Sequence, residues 1–177
     1  MKSVPFRAVL FALIGLVAIG SLITASPSSS KVSASVISGE ACTESGVTLV
    51  IDFGDQSRAP LVTCVKNFAG TGWQLFEAAG IAVEGTAEYP QSFVCRISEF
   101  PSTKDEDCLG TPNYNSGTWV YFSSTASAQT SGWTRSPQGA ASQKPGCGDF
   151  EGWRFVVGAE SSSQIPNFEP QPFVCKP

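Results

Sequence analysis

The sequence predicts an exported α+β domain in which a mixed or antiparallel sheet carries one short helix and is held by disulfide bonds. Three observations support this prediction. Apolar residues alternate along Val47–Phe53, a short helix signal covers Thr71–Gly80, and six cysteines follow an apolar segment near the N-terminus. Two strands, then a helix, then further strands is an order typical of the α+β class.

Residues 1–34 have the pattern of a secretory signal followed by a serine-rich spacer. Lys2 and Arg7 form a short basic region, and the 16 residues of the range 8–23 carry no charge. A helix that spans a bilayer needs about 20 apolar residues, so we expect cleavage. The alternative is a retained N-terminal anchor, in which case the protein contacts the membrane through this segment.

The 143 residues that follow are enough for one domain of ordinary size. We assign residues 35–158 to this domain, and residues 159–177, which are rich in Ser, Pro and Gln, to an extended tail. Residues 35–177 keep 8 of the 11 basic residues and all 15 acidic ones, a net charge of −7. Nucleic-acid binding requires a basic surface, so we expect no nucleic-acid partner.

The six cysteines predict three disulfides and no metal site. No two of them have Cys-x-x-Cys spacing, and the chain has no histidine, so the usual zinc and redox motifs are missing. An even number of cysteines in an exported chain is typical of disulfide pairing. Six cysteines allow many pairings, and the connectivity stays open. We expect sequential pairs because they close the shortest loops: Cys42–Cys64, Cys95–Cys108 and Cys147–Cys175.

The alternating segment Val47–Phe53 predicts a half-buried strand that ends at Gly54. Its apolar residues face one side, whereas Thr48 and Asp52 face the other. The β-rich segment Leu61–Val65 is the expected hairpin partner of this strand. The first predicted disulfide would lock the open end of the pair.

The next segment predicts a helix. Thr71 and Gln74 have the spacing of a capping box, and Gly80 suits a left-handed stop. So short a helix is not stable alone in water, so it must lie on the sheet. Its expected buried residues are Leu75, Ala78 and Ala79, with Trp73 or Phe76 at the edge of the buried side.

Four later segments have strand character and are separated by Gly, Pro and Ser clusters. They are Ile81–Thr86, Phe93–Ile97, Thr118–Phe122 and Trp153–Val157. The tail after them is expected to be tied back to the domain through Cys175.

Five segments carry a resemblance to a known family. They are Gly46–Gly54, Glu77–Gly80, Phe93–Ile97, Trp119–Phe122 and Glu151–Phe155. Together they resemble small exported bacterial proteins that are similar to the C-terminal domain of transcobalamin and intrinsic factor, in the soluble-ligand-binding β-grasp group. The likeness covers roughly residues 42–157, and it rests on order and pattern more than on a fixed signature.

The resemblance implies a β-grasp domain that helps to hold a small-molecule ligand such as a corrinoid, with no other cofactor. In transcobalamin-type proteins a separate α/α-barrel domain also holds cobalamin, and 143 residues cannot contain that barrel. The resemblance therefore implies a second chain, either a barrel protein or a component of a membrane uptake system. Cys147 and Cys175 have no counterpart that can be placed in the family pattern.

Aromatic side chains are the candidate ligand contacts. They are Trp133, Trp119, Tyr121, Tyr114 and Trp153. The alternative for each is a place in the core, and Trp133, which has Gly and Ser before it, is the least easily buried. Flat aromatic surfaces suit a corrin edge, a sugar ring or a partner protein equally well. The alternatives to corrinoid capture are therefore a carbohydrate- or surface-binding module and a structural wall or adhesion protein.

The sequence predicts no enzyme and no catalytic residue. A serine hydrolase needs a base for its hydroxyl, and histidine, the usual base, is missing. A glycosidase works with two carboxylates, but nothing in the spacing of the acidic residues marks a pair. We interpret the five considered, Asp52, Glu77, Glu99, Asp149 and Glu151, as solvated or capping carboxylates.

Overall fold

A computed structural model of the chain describes residues 34–54, 58–126, 132–158 and 164–175. Residues 1–33, which include the predicted signal segment, lie outside the described residues. So do residues 159–163 and 176–177 of the predicted tail. Within the described ranges, no helix has the length and apolar character that a membrane crossing requires.

The described residues are mostly sheet with one short helix, in agreement with the predicted α+β class. The elements are β1 (Ser35–Ser38), β2 (Val47–Asp52), β3 (Leu61–Lys66), α1 (Gly72–Ala78), β4 (Val83–Gly85), β5 (Val94–Ile97), β6 (Thr118–Ser124), β7 (Thr134–Arg135) and β8 (Phe150–Val156). The sequence did not predict β1 or β7. β1 is exposed along its whole length and β7 has two residues, so neither carries an alternating pattern.

Six strands form one mixed sheet in the order β1-β3-β2-β8-β6-β7, and β4 pairs with β5 in a second, two-stranded sheet. In the large sheet β2 and β8 are parallel neighbours, and the other neighbouring pairs are antiparallel. Parallel neighbours need a long connection between them. Here that connection contains α1, which packs on one face of the sheet.

The predicted hairpin is present, since β2 pairs antiparallel with β3. Thr48 lies opposite Cys64 in this pairing, and the Thr48 Oγ1 atom accepts a hydrogen bond from the backbone N–H of Cys42 at 2.9 Å. The disulfide between Cys42 and Cys64 therefore fastens the chain before β2 to the second strand of the hairpin.

The capping box at the start of α1 is also confirmed. The Thr71 Oγ1 atom accepts from the backbone N–H of Gln74 at 3.3 Å, and the Gln74 Oε1 atom accepts from the backbone N–H of Thr71 at 2.9 Å. Gly80 has a φ of +70°, which is the predicted left-handed stop.

The buried side of α1 differs in part from the prediction. Leu75 and Ala79 are buried as expected, but Phe76 is fully buried, whereas Ala78 and Trp73 are half-buried. The Phe76 ring lies 5.5 Å from the Trp153 ring, measured between centroids. Of the two rings expected at the edge, Trp73 therefore lies there, whereas the helix places Phe76 on the aromatic centre of the sheet. The expected burial of Ala78 is only partial.

The expectation of a half-buried β2 is wrong as well. Thr48, Val50 and Asp52, which point away from α1, are at most 1% exposed. The tail covers this second face: Asn167 donates its backbone N–H to Asp52, and the Phe168 ring stacks on Phe150 with a centroid distance of 6.1 Å. Because α1 covers one face of the sheet and the tail covers the other, the central strand β2 is buried on both faces.

The three disulfides are Cys42–Cys64, Cys95–Cys108 and Cys147–Cys175, which are the sequential pairs. Disulfides form and persist in oxidising compartments, so they indicate an extracytoplasmic environment. The third disulfide joins the loop before β8 to the tail. Cys147 is exposed, whereas the four cysteines of the other two disulfides are buried.

The position of Phe76 leads to a stability prediction. Phe76→Ala should lower the free energy of unfolding by about 3–5 kcal/mol, because it leaves a cavity at the centre of the core. Trp73→Ala removes a larger side chain from the rim of the helix and should cost clearly less. Chemical denaturation of both variants measures this difference, and equal losses would contradict the central position of Phe76.

Candidate functional site

The five aromatic candidates do not form one site. Trp119, Tyr121 and Trp153 lie in the core on the helix side of the sheet. Trp133 packs on the opposite side, against a smaller cluster of buried residues. Tyr114 lies in the loop before β6, where it is 38% exposed and its carbonyl accepts from the backbone N–H of Gly158 at 2.6 Å.

The three helix-side rings mainly pack the core. They are between 4% and 8% exposed, and the Tyr121 ring stacks on Trp153 with centroids 4.6 Å apart. Their edges line a small crevice of about 240 Å³ beneath the loop 136–140. Their contact with a ligand is therefore limited to these edges.

Trp133 lines a larger cleft on the other face of the sheet, which we call the Trp133 cleft. Its volume is about 510 Å³. The end of β2, the residues before β7, strand β8 and the tail all contribute to it. The lining residues are Gly54, Gly132, Trp133, Arg154 and the tail range 165–170.

The Trp133 ring is held firmly in this cleft. It packs against the buried cluster of Val120, Phe122 and Val156. Its Nε1 atom donates a hydrogen bond to the carbonyl oxygen of Phe168 at 2.6 Å. Because packing and this hydrogen bond fix the ring, the indole presents a rigid surface to the cleft.

Asp52 holds the polar wall of the Trp133 cleft in place. Its Oδ2 atom pairs with the Arg154 Nη1 atom and also accepts the backbone N–H of Asn167 at 2.6 Å. Its Oδ1 atom accepts from the backbone N–H of Gly54 at 2.9 Å. The Asp52 side chain is 2% exposed, and a buried carboxylate is stable only when it is paired and hydrogen-bonded in this way.

A second cleft lies on the other side of Phe168, and we call it the Phe173 cleft. Its volume is about 650 Å³. Its lining is richer in apolar residues and consists of Ala41, Cys42, Thr43, Phe150, Phe168, Glu169, Gln171, Pro172 and Phe173. Phe168 and Glu169 line both clefts, so this part of the tail forms the wall between them.

Glu151 is a buried acid on the helix side of the sheet. It is 0% exposed, its Oε2 atom accepts the Tyr121 hydroxyl, and its Oε1 atom has no hydrogen-bond partner. Burial raises the pKa of Glu151 to about 8. A Cβ atom on Gly72 would lie 2.5 Å from the Tyr121 hydroxyl oxygen and 3.2 Å from Glu151 Oε2, so only glycine fits there.

Asp52 is not solvated, but it does accept the backbone N–H groups of Gly54 and Asn167. The interpretation of the acidic residues as solvated or capping is wrong for Glu151, which the sheet and the helix side of the core bury completely. It holds for Asp149, which accepts the backbone N–H groups of Gly146 and Ala126. Glu77 and Glu99 are exposed. No group of three acidic or cysteine side chains within the described ranges could hold a metal ion.

Sequence reasoning named Trp133 as a candidate and considered Asp52 only as a solvated or capping acid, and it missed the other polar residues of the cleft. Asp52 and Arg154 are charged residues within predicted strands, and a charge in a strand was the available signal. Asn167 and Phe168 carried no signal, because tertiary contacts of the tail bring them to the cleft.

Comparison with known proteins yields no relative. No protein-family model, no curated protein and no solved structure matches the chain significantly. The function is therefore proposed from the geometry of the site and from the sequence pattern.

The buried Glu151 predicts a dependence of stability on pH. The folded state keeps a proton that the unfolded state releases above its ordinary pKa of 4.5. Stability should therefore fall as pH rises from about 5 to about 8, by on the order of a few kcal/mol, and then level off.

Glu151→Gln should remove most of this dependence because glutamine does not titrate. Denaturant unfolding across the same pH range measures the effect. Glu77→Gln, an exposed change on the helix, should keep the slope of the unaltered protein. An unchanged slope in Glu151→Gln would show that Glu151 is not the group responsible.

Proposed function

We propose that the protein is a non-catalytic ligand-binding domain that works outside the cytoplasm, with the Trp133 cleft as its binding site. The observation that carries this proposal is the combination of a fixed indole with a guanidinium and an amide group in one cleft. Small-molecule sites are typically concave, with aromatic surface and a few well-placed polar groups.

We also propose that the domain belongs to the β-grasp group and is secreted. Two features support the fold proposal. The chain begins with a hairpin that is followed by a helix, and its last strand, β8, lies parallel to the first strand of that hairpin, β2. The N-terminal apolar segment and the three disulfides support secretion. Retention of the N-terminal segment as an anchor is the alternative.

A binding role is favoured over catalysis by the positions of the two buried acids. Asp52 faces the tail, where it pairs with Arg154, whereas Glu151 faces the helix, where it meets Tyr121. The sheet separates them, so they do not form the carboxylate pair that a glycosidase needs. The chain also lacks histidine, the commonest acid–base residue.

The proposed ligand is a corrinoid held together with a second chain. The family resemblance is the reason for this choice. A corrinoid is larger than the Trp133 cleft, so this domain would cover one edge of the ligand, and a barrel protein or uptake component would hold the rest.

Titration with cyanocobalamin tests this proposal. We expect weak binding to the domain alone and at least about tenfold tighter binding when a corrinoid-binding α/α-barrel protein is added, since two chains then share the ligand. Trp133→Ala should abolish the gain, whereas Trp73→Ala, a change to a half-buried Trp of the helix, should not. Absence of any heat or absorbance change in both titrations would refute the corrinoid proposal.

Carbohydrate binding is a second candidate, favoured by the polar groups beside the indole. Arg154, Asn167 and Glu169 offer hydrogen bonds to hydroxyl groups next to a flat aromatic surface. A glycan array would show binding that Trp133→Ala abolishes and Trp73→Ala leaves intact. If neither cobalamin nor any glycan binds, the remaining hypothesis is a structural role in the cell wall or in adhesion.

A further inference from the structure

We infer that residues 165–170 form a strap that lifts from the sheet as a unit. In the closed state the strap occupies the place of a ligand, and this ligand carries amide groups and an apolar ring. This inference rests on the proposed ligand-binding role and names the chemistry of the ligand. Corrinoids, which carry amide side chains on a ring system, fall within this class.

The strap contacts the sheet through hydrogen bonds, through the Phe168 ring and through the buried Pro166 and Pro170. The backbone N–H of Asn167 donates to Asp52, and the carbonyl of Phe168 accepts from the Trp133 indole, each at 2.6 Å. The strap is not a strand, so it lacks the ladder of hydrogen bonds that joins neighbouring strands. Segments with so little pairing open locally, without unfolding of the whole domain.

The two contacts define what the ligand must offer. When the strap lifts, a buried carboxylate oxygen of Asp52 loses a donor and the indole N–H of Trp133 loses an acceptor. Each of these groups then needs a new hydrogen-bond partner. A ligand with two amide groups supplies both partners, because an N–H of one donates to Asp52 and a C=O of the other accepts from Trp133. In the strap these roles also belong to two different peptide groups, through the N–H of Asn167 and the C=O of Phe168.

The apolar part of the ligand takes the place of Phe168. This ring stacks on Phe150 and separates the Trp133 cleft from the Phe173 cleft. Removing it joins the two clefts into one groove with a polar end at Arg154 and an apolar end at Phe173. A ring with amide substituents suits that combination.

The disulfide Cys147–Cys175 keeps the strap close to the groove. It fixes the end of the tail to the loop before β8, beside the hydrogen bond from Phe173 N–H to the Gly148 carbonyl at 3.3 Å. The middle of the tail therefore lifts while its end stays attached. Cutting this disulfide should release the strap and favour the open groove.

Hydrogen exchange tests the local opening without any ligand. We expect the Asn167 N–H to exchange at least about a hundredfold faster than the Leu49 N–H of the central strand, at a rate that low denaturant concentrations do not change. Equal exchange rates at the two positions would overturn the inference, because the strap would then open only with global unfolding.

Binding to a strap-released variant tests the ligand class. The variant is Cys147→Ser/Cys175→Ser, and the probes are cyanocobalamin and a synthetic peptide of residues 165–174. We expect at least one probe to bind about tenfold more tightly to this variant than to the unaltered chain, since the competing strap is loosened. The control Cys95→Ser/Cys108→Ser removes a disulfide outside both clefts and should leave the affinity unchanged.

Trp133→Phe in the strap-released background separates amide recognition from ring contact. It keeps an aromatic surface but lacks the indole N–H, so we expect at least about tenfold weaker binding. Unchanged binding would overturn the assignment of the indole to the amide. If the peptide binds and cyanocobalamin does not, the corrinoid proposal fails while the strap inference stands; if neither probe binds more tightly, the strap inference fails.

Discussion

The parallel pairing of β2 with β8 is the constraint on which the rest of the structure depends. It joins the N-terminal hairpin to the C-terminal part of the chain and places both strands at the centre of the sheet. Central strands that are buried on both faces need a cover on each face. Helix α1 and its loops cover one face, and the disulfide-tied tail covers the other.

The two faces of the sheet place their buried acidic residues in different environments. Asp52 lies beneath the tail, where it pairs with Arg154 and accepts hydrogen bonds from backbone N–H groups. Glu151 has no cationic partner among the described contacts, and burial raises its pKa instead. A buried carboxyl must be either paired or protonated, so the first becomes part of a polar cleft and the second a neutral part of the core.

Much of the fold could be predicted from local patterns. The Thr71 capping box and the hairpin that begins with β2 depend on residues close in sequence, so the residue pattern was sufficient for them. The central position of Phe76 was not predicted, and the burial of the second face of β2 was predicted wrongly. Both depend on what packs against them from distant parts of the chain, and periodicity carries no information about that.

By itself the sequence determined the cysteine-rich α+β character, the absence of histidine and the candidacy of Trp133. Tertiary structure alone decided that Trp119, Tyr121 and Trp153 pack inside the core while Trp133 lines a cleft, because the sheet places them on opposite faces. It also decided that the tail completes that cleft. The physical reason is that this cleft is assembled from residues far apart in sequence, which a parallel strand pair and a disulfide bring together.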